Sequence, residues 1–273
     1  AIGGTTGLAG EIKVNIVGEY LYIISTPQGT MTAQNASSFK ITQAGLVQRS
    51  NGQEVAGTWG LTSPENITKS GYYPCKFTPK QSELYENKDG ITGTMYVEVM
   101  YDKMYYMTVG EKTAIYADSE ATTEIDVNTF TAAMELLNDN GTFVFMTPYV
   151  VNGNETIAIS KRINFVRGSS NTNYAMIEVP MGRSLAITCT SGEALFEGQN
   201  DTTQYPVFVV DGSLTLGSNV IVRNFEYKSY ASSALHGIIC NKGTLILQGC
   251  KIYNNELSFE KSVDYEIGGV VYN

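Results

Sequence analysis

Apolar and polar residues alternate in short runs along most of the chain, as in Glu19-Tyr-Leu-Tyr-Ile-Ile24, Gly93-Thr-Met-Tyr-Val-Glu-Val99 and Gly212-Ser-Leu-Thr-Leu216. Period-two alternation, closed on each side by Gly, Pro, Asn, Asp or Ser, predicts half-buried β-strands separated by tight turns. One stretch departs from it. Between Asn128 and Gly141, the residues Phe130, Ala133, Met134 and Leu137 recur at helical spacing. This predicts a helix over 128–139, with Asn128 capping its start and Asn140-Gly141 supplying a left-handed stop.

The C-terminal part also repeats itself. Gly182-Arg-Ser-Leu-Ala-Ile187, Gly212-Ser-Leu-Thr-Leu216 and Gly243-Thr-Leu-Ile-Leu247 are one phrase, its glycines 30 and then 31 residues apart. Each phrase has a short apolar run before it and another after it, giving three strands per repeat. A fixed period of this size predicts stacked coils. In such a stack Leu185, Leu214 and Leu245 form one inward column, and Ile187, Leu216 and Leu247 a second. Asn224 and Asn254 recur two residues after Val222 and Ile252, where stacked asparagines can bond from one coil to the next, a structural role rather than a catalytic one.

The last repeat reads Leu245-Ile-Leu-Gln-Gly-Cys-Lys-Ile-Tyr-Asn-Asn255 and then Gly268-Gly-Val-Val-Tyr-Asn273. It resembles the repeat of pectate-lyase-like right-handed parallel β-helix proteins, a group that includes bacterial adhesins, polymorphic outer-membrane proteins and glycan-active enzymes. The Thr129-Phe-Thr-Ala-Ala133 phrase with Asn138, Asn140-Gly-Thr142 and Phe143-Val-Phe145 resembles the helical cap and first coil of that family. The two resemblances cover residues 125–273 and imply a right-handed β-helix with an N-terminal helical cap. By the period a further phrase falls due just past Asn273, so the natural protein is expected to continue and the β-helix here to be truncated.

The N-terminal half offers Gly57-Thr-Trp-Gly-Leu61, Gly71-Tyr-Tyr-Pro-Cys-Lys-Phe-Thr-Pro79 and Tyr85. Their order resembles the Ig-like repeats of bacterial cell-wall proteins, which implies a β-sandwich acting as a spacer, with Trp59 and Phe77 as core anchors. Pro74, inside that strand, predicts an edge or a bulge. Tyr101-Asp-Lys-Met-Tyr-Tyr-Met107 reads as the last sandwich strand or a connector, and the acidic Asp118-Ser-Glu120 marks the boundary. The expected organisation is all-β: a glycine-rich flexible lead-in (1–10), an Ig-like β-sandwich (11–117) and a right-handed parallel β-helix (118–273).

Hydrophobic residues make up 42% of the 273 and charged residues only 16%. That is a globular composition, and no run approaches the roughly 20 apolar residues of a membrane helix. The 18 Lys and Arg against 27 Asp and Glu leave a net charge of −9. Nucleic acid is therefore not an expected partner. Cys75, Cys189, Cys240 and Cys250 lack metal-ligand spacing and only one His is present, so neither a metal nor a cofactor is expected. Buried free thiols are the preferred reading, with a Cys240–Cys250 bridge as the alternative.

No catalytic residue emerges. Asp211 and Glu226 find no acid at matching places in neighbouring repeats, and His236 stands alone. Binding is easier to motivate. Each repeat is longer than three strands require, and the surplus falls at one turn, where Asp201, Tyr227, Tyr230 and Tyr265 are expected on a ledge of loops suited to glycans or proteins. The expectation is a non-enzymatic, secreted or cell-surface adhesin-like bacterial protein that displays a lateral face to glycans or surface proteins and carries further repeats of its own chain. The alternative is the non-catalytic front part of a β-helix polysaccharide lyase or glycoside hydrolase.

Overall fold

The computed structural model describes residues 19–81, 85, 89–168, 174–198, 202–203, 205–229, 237–259 and 270–272. The chain forms two compact units, residues 1–98 and 99–273. The lead-in expected at 1–10 lies outside the described residues.

In the first unit, strands β1 (Leu21–Ser25), β2 (Gln28–Thr32), β3 (Lys40–Gln43), β4 (Leu46–Arg49), β5 (Gly57–Leu61), β6 (Gly71–Pro79) and the first part of β7 (Ile91–Val109) follow one another. β1 pairs with β4, β2 with β3, and β6 with both β5 and β7, all antiparallel. Alternation decides which side is dry. On β6, Cys75, Phe77 and Pro79 are buried while Tyr72, Pro74, Lys76 and Thr78 face water. Trp59 and Phe77 are register partners with ring centroids 5.2 Å apart, in a cluster with Leu21, Val47 and Ile91. Pro74 causes no bulge, and it pairs with Thr94 of β7 at a point where β6 has no β5 residue paired on its other side. Its carbonyl accepts the Thr62 N–H (3.1 Å), so its missing donor faces the side on which β5 has already ended.

The second unit is mostly β and contains a solenoid of about three turns. It opens with the remainder of β7 and with β8 (Lys112–Tyr116), paired antiparallel. Tyr101–Met107 therefore belongs here, ahead of the expected boundary at 117/118, because Tyr101 and Lys103–Tyr106 pair in parallel with β9 (Leu137–Phe145). Between them lies the helix α1 (Phe130–Leu136). It is shorter than expected, and its cap is Thr129, whose hydroxyl accepts the Ala132 N–H (3.1 Å), rather than Asn128. Leu137 already pairs with Tyr101, and Lys161 Nζ bonds the carbonyls of Glu135 and Leu137 (both 2.7 Å), so the helix stops before Asn140-Gly141. Asn140 is left-handed, with φ 64°, but within β9.

From β9 the chain winds through β10 (Tyr149–Val150), β11 (Asn154–Ile159), β12 (Ile163–Arg167), β13 (Ile177–Val179), β14 (Ser184–Cys189) and β15 (Ala194–Glu197). It continues through β16 (Thr202–Thr203), β17 (Phe208–Val210), β18 (Ser213–Leu216), β19 (Val220–Arg223) and β20 (Glu226–Ser229). The last strands are β21 (Ile239–Asn241), β22 (Thr244–Leu247), β23 (Lys251–Tyr253), β24 (Glu256–Phe259) and β25 (Val271–Tyr272). Strands one lap apart pair in parallel, in the orders β9-β12-β15-β19-β23, β10-β13-β17-β21-β25 and β11-β14-β18-β22.

Leu185 pairs with Leu214 and Leu214 with Leu245, and Ile187, Leu216 and Leu247 align in the same way. Leu185, Ile187, Leu214 and Leu216 are at most 1% exposed, whereas Leu245 is half-buried and Leu247 is 46% exposed on the last strand of its sheet. Aromatic rings also fill the interior: Phe165 stacks on its register partner Phe196 at 4.7 Å, and Phe196 meets Phe208, of the β13-β17-β21 sheet, edge-on at 4.9 Å.

Close stacking of the turns explains two of the three repeated glycines, while Gly182 stands in open space with φ 76°. A Cβ on Gly243 would meet the Gly212 carbonyl oxygen at 2.1 Å, and one on Gly212 the carbonyl oxygens of Pro180 and Arg183 at 2.3 Å. Only a residue without a side chain lets successive turns lie this close.

At the β11 edge of its sheet, the Thr131 hydroxyl of α1 donates to the Thr156 carbonyl and accepts the Ala158 N–H, both at 3.1 Å. All four cysteines are free, Cys75 and Cys240 buried and Cys189 and Cys250 half-buried. Among the described residues no helix is long and apolar enough to cross a membrane.

Candidate functional site

Where the expected ledge is described, at residues 202–203, 227–229 and 257–259, it consists of paired strands and not of loops. Tyr227 lies in β20, which pairs in parallel with β16 and β24 as a fourth short ladder, and its side chain is fully buried. Alternation continues from Phe225, 1% exposed, to Tyr227, so both rings point inward and Tyr227 is a core residue rather than a ligand contact. Asp201, Tyr230 and Tyr265 lie outside the described residues.

The asparagines do stack. Asn254 Nδ2 donates to Asn224 Oδ1, and Asn224 Nδ2 to Glu197 Oε1 at 2.7 Å. Both asparagines are left-handed, φ 62° and 54°, a conformation their short polar side chain tolerates. Glu197 is held in turn by the Arg223 guanidinium at 2.8 Å. The ladder fixes the turn.

The concave site lies elsewhere, within the second unit at the first coil. A cleft of about 590 Å³, a volume in the range of small-molecule sites, is lined by residues of β8, of segment 124–130, and of β10 and β11, with Tyr106 of β7. Its wall is aromatic, with Tyr106 half-buried in front of Phe130 and Tyr149, which are buried at 9% exposure each. Phe130 and Tyr149 have ring centroids 4.1 Å apart, and Tyr106 lies 5.4 Å from Phe130 and 5.5 Å from Tyr149.

Against these rings stands Glu155. In the β11–β14 ladder Glu155 is the register partner of Leu185, so it occupies the first-coil place of the inward column that is leucine in every later lap. Half-buried there, it accepts the Tyr149 O–H on Oε2 and the Asn152 N–H on Oε1 (3.1 Å). Burial, and then the Glu155 bond and charge, push the Tyr149 phenol well above its usual range; burial and Glu155 push Tyr106 the same way. Both phenols are thereby held as neutral donors.

The rim is polar and exposed: Glu124, Asp126, Asn128 and Asn154. Lys112 Nζ contacts both Glu124 oxygens, at 2.7 and 2.5 Å. Among the described residues no group of three or more His, Cys, Asp or Glu is placed to hold a metal ion. The arrangement offers a hydrophobic wall, the Tyr106 phenol as a donor, a carboxylate acceptor already engaged by Tyr149 but with lone pairs to spare, and side-chain amides, a set that orients a polar ligand carrying an apolar face.

Sequence reasoning missed Glu155 as a site residue. The signal was present: Leu185 less one lap of 30 residues is position 155. Comparison of the chain with protein-family models, with curated proteins and with solved structures gave no match.

Proposed function

We propose that the protein is a non-enzymatic, secreted or cell-surface glycan-binding protein, in which an Ig-like β-sandwich spacer precedes a right-handed parallel β-helix and α1 acts as the helical cap of its first coil. The observation that carries the binding reading is the cleft in which Tyr106, Phe130 and Tyr149 stand beside Glu155. Sugars present apolar C–H faces and hydroxyl rims, so aromatic surface and carboxylate or amide acceptors are the complementary groups. Tyr149 is held protonated by burial and by Glu155, to which it donates, so it serves to position that carboxylate.

The bacterial adhesin-like reading rests on the repeat phrases, with the cleft replacing the lateral ledge as the place of contact. Capping by α1 is supported by Thr131, which takes up backbone groups at the β11 edge that would otherwise face water or another chain.

A glycan array probed with the whole chain and with Tyr106→Ala tests the proposal. Binding that the variant loses, with an unchanged circular-dichroism melt, supports it. No binding by the parent chain at high concentration, or equal binding by both, overturns it.

A further inference from the structure

The charges lining the cleft do not balance. Three carboxylates, Glu124, Asp126 and Glu155, face one cation, Lys112. Lys112 is engaged at the rim, bonded to both oxygens of Glu124 and drawn also by Asp126. Glu155 forms no ion pair among the described residues. Its partners are the Tyr149 O–H and the Asn152 N–H, both neutral, and they leave lone pairs on each carboxylate oxygen.

A carboxylate in a half-buried site is less screened than one on the surface, so its pull on an incoming positive charge is correspondingly larger. The rings add to it, because an ammonium is attracted to aromatic π-electron density within about 6 Å. A neutral sugar would use the rings and the hydroxyl acceptors yet leave the Glu155 charge uncompensated as the cleft desolvates. A sugar carrying a free ammonium would compensate it.

Building on the glycan reading above, we propose that the ligand of this cleft is an amino sugar with a free, unacetylated ammonium group, the ammonium bound to Glu155 and the sugar face set against the half-buried Tyr106. The chain's net charge of −9 acts in the same direction by drawing cationic ligands toward it.

The test is calorimetric titration of the whole chain with glucosamine oligomers and with their N-acetylated counterparts of equal length, at low and at physiological salt, for the parent and for Glu155→Gln. The expected result is that the free amine binds at least about tenfold more tightly, that the margin narrows with salt, and that Glu155→Gln removes it. Should Glu155→Gln fail to fold, Asp126→Asn at the exposed rim replaces it and is expected to reduce the salt dependence of amine binding. N-acetylated oligomers binding as tightly as the free amines would overturn the assignment of an ammonium while leaving glycan binding intact. Binding of neither set would overturn the amino-sugar assignment, and the glycan array above then decides the glycan reading separately.

Discussion

Glu155 and Leu185 are neighbours across the β11–β14 ladder, one lap apart, in a column where Leu214 and Leu245 follow. A carboxylate at a leucine position costs desolvation and contributes no packing, so it is expected to be retained for binding at the expense of stability. Glu155→Leu combined with Tyr149→Phe, which removes the phenol that would be left without its acceptor, is expected to raise stability by roughly 0.5–2 kcal/mol in urea unfolding while abolishing ligand binding. A fall in stability would show that Glu155 is a structural residue, held as part of the coil.

The same column provides a graded test of the stacked core. Leu214 is fully buried between Leu185 and Leu245, whereas Leu247 is 46% exposed on the last strand of its sheet. Leu214→Ala is expected to cost about 2–5 kcal/mol, from lost transfer energy plus the cavity left between two laps. Leu247→Ala is expected to cost about 1 kcal/mol or less. Comparable losses for the two in denaturant melts would contradict the register.

Much of this architecture is legible in the sequence, and the physical reason is that a stack reduces long-range pairing to a fixed step along the chain. Leu185, Leu214 and Leu245 meet because about thirty residues make one lap, and the same step locates Asn254 beside Asn224 and Glu155 beside Leu185. What escapes is whatever the step does not govern. Tyr106 reaches the cleft because β7 pairs in parallel with β9, a contact that no local pattern encodes. The length of α1 is set by that pairing and by Lys161 on its last carbonyls rather than by the helical periodicity of Phe130, Ala133 and Met134. Tyr227 was legible in principle: Phe225 and Tyr227 alternate with Glu226 as a strand does, but the polar surroundings read as a loop.

Glu178 gives a pH-dependent test. It lies on β13, and burial, then the negative charge of Asp211, raise its carboxyl pKa above the usual value. A carboxyl that holds its proton more tightly when folded stabilises the fold at pH below its unfolded pKa, near 4.3, and that contribution is lost as pH rises through the folded value. At pH 7 the native state therefore carries an unfavourable charge that glutamine would not. Glu178→Gln is expected to raise the melting temperature at pH 7 and to leave it unchanged near pH 3.5. A shift of the same size at both pH values would assign the effect to packing rather than to charge.

The asparagine ladder allows backbone and side-chain contributions to be separated. Asn224 holds φ 62°, donates from Nδ2 to Glu197 and accepts from Asn254. Glycine at this position keeps the left-handed turn free of Cβ strain and loses only the side-chain bonds, a cost of about 1 kcal/mol each at most, because Glu197 keeps its Arg223 partner. Alanine loses the same bonds and adds the left-handed penalty of roughly 1–2 kcal/mol. Asn224→Ala should therefore be less stable than Asn224→Gly by about that penalty in urea unfolding, even though alanine is the better residue in most other backbone settings. If the two variants are equal, the turn relaxes out of the left-handed region when the ladder is broken, and it is then the side-chain bonds that hold the backbone there.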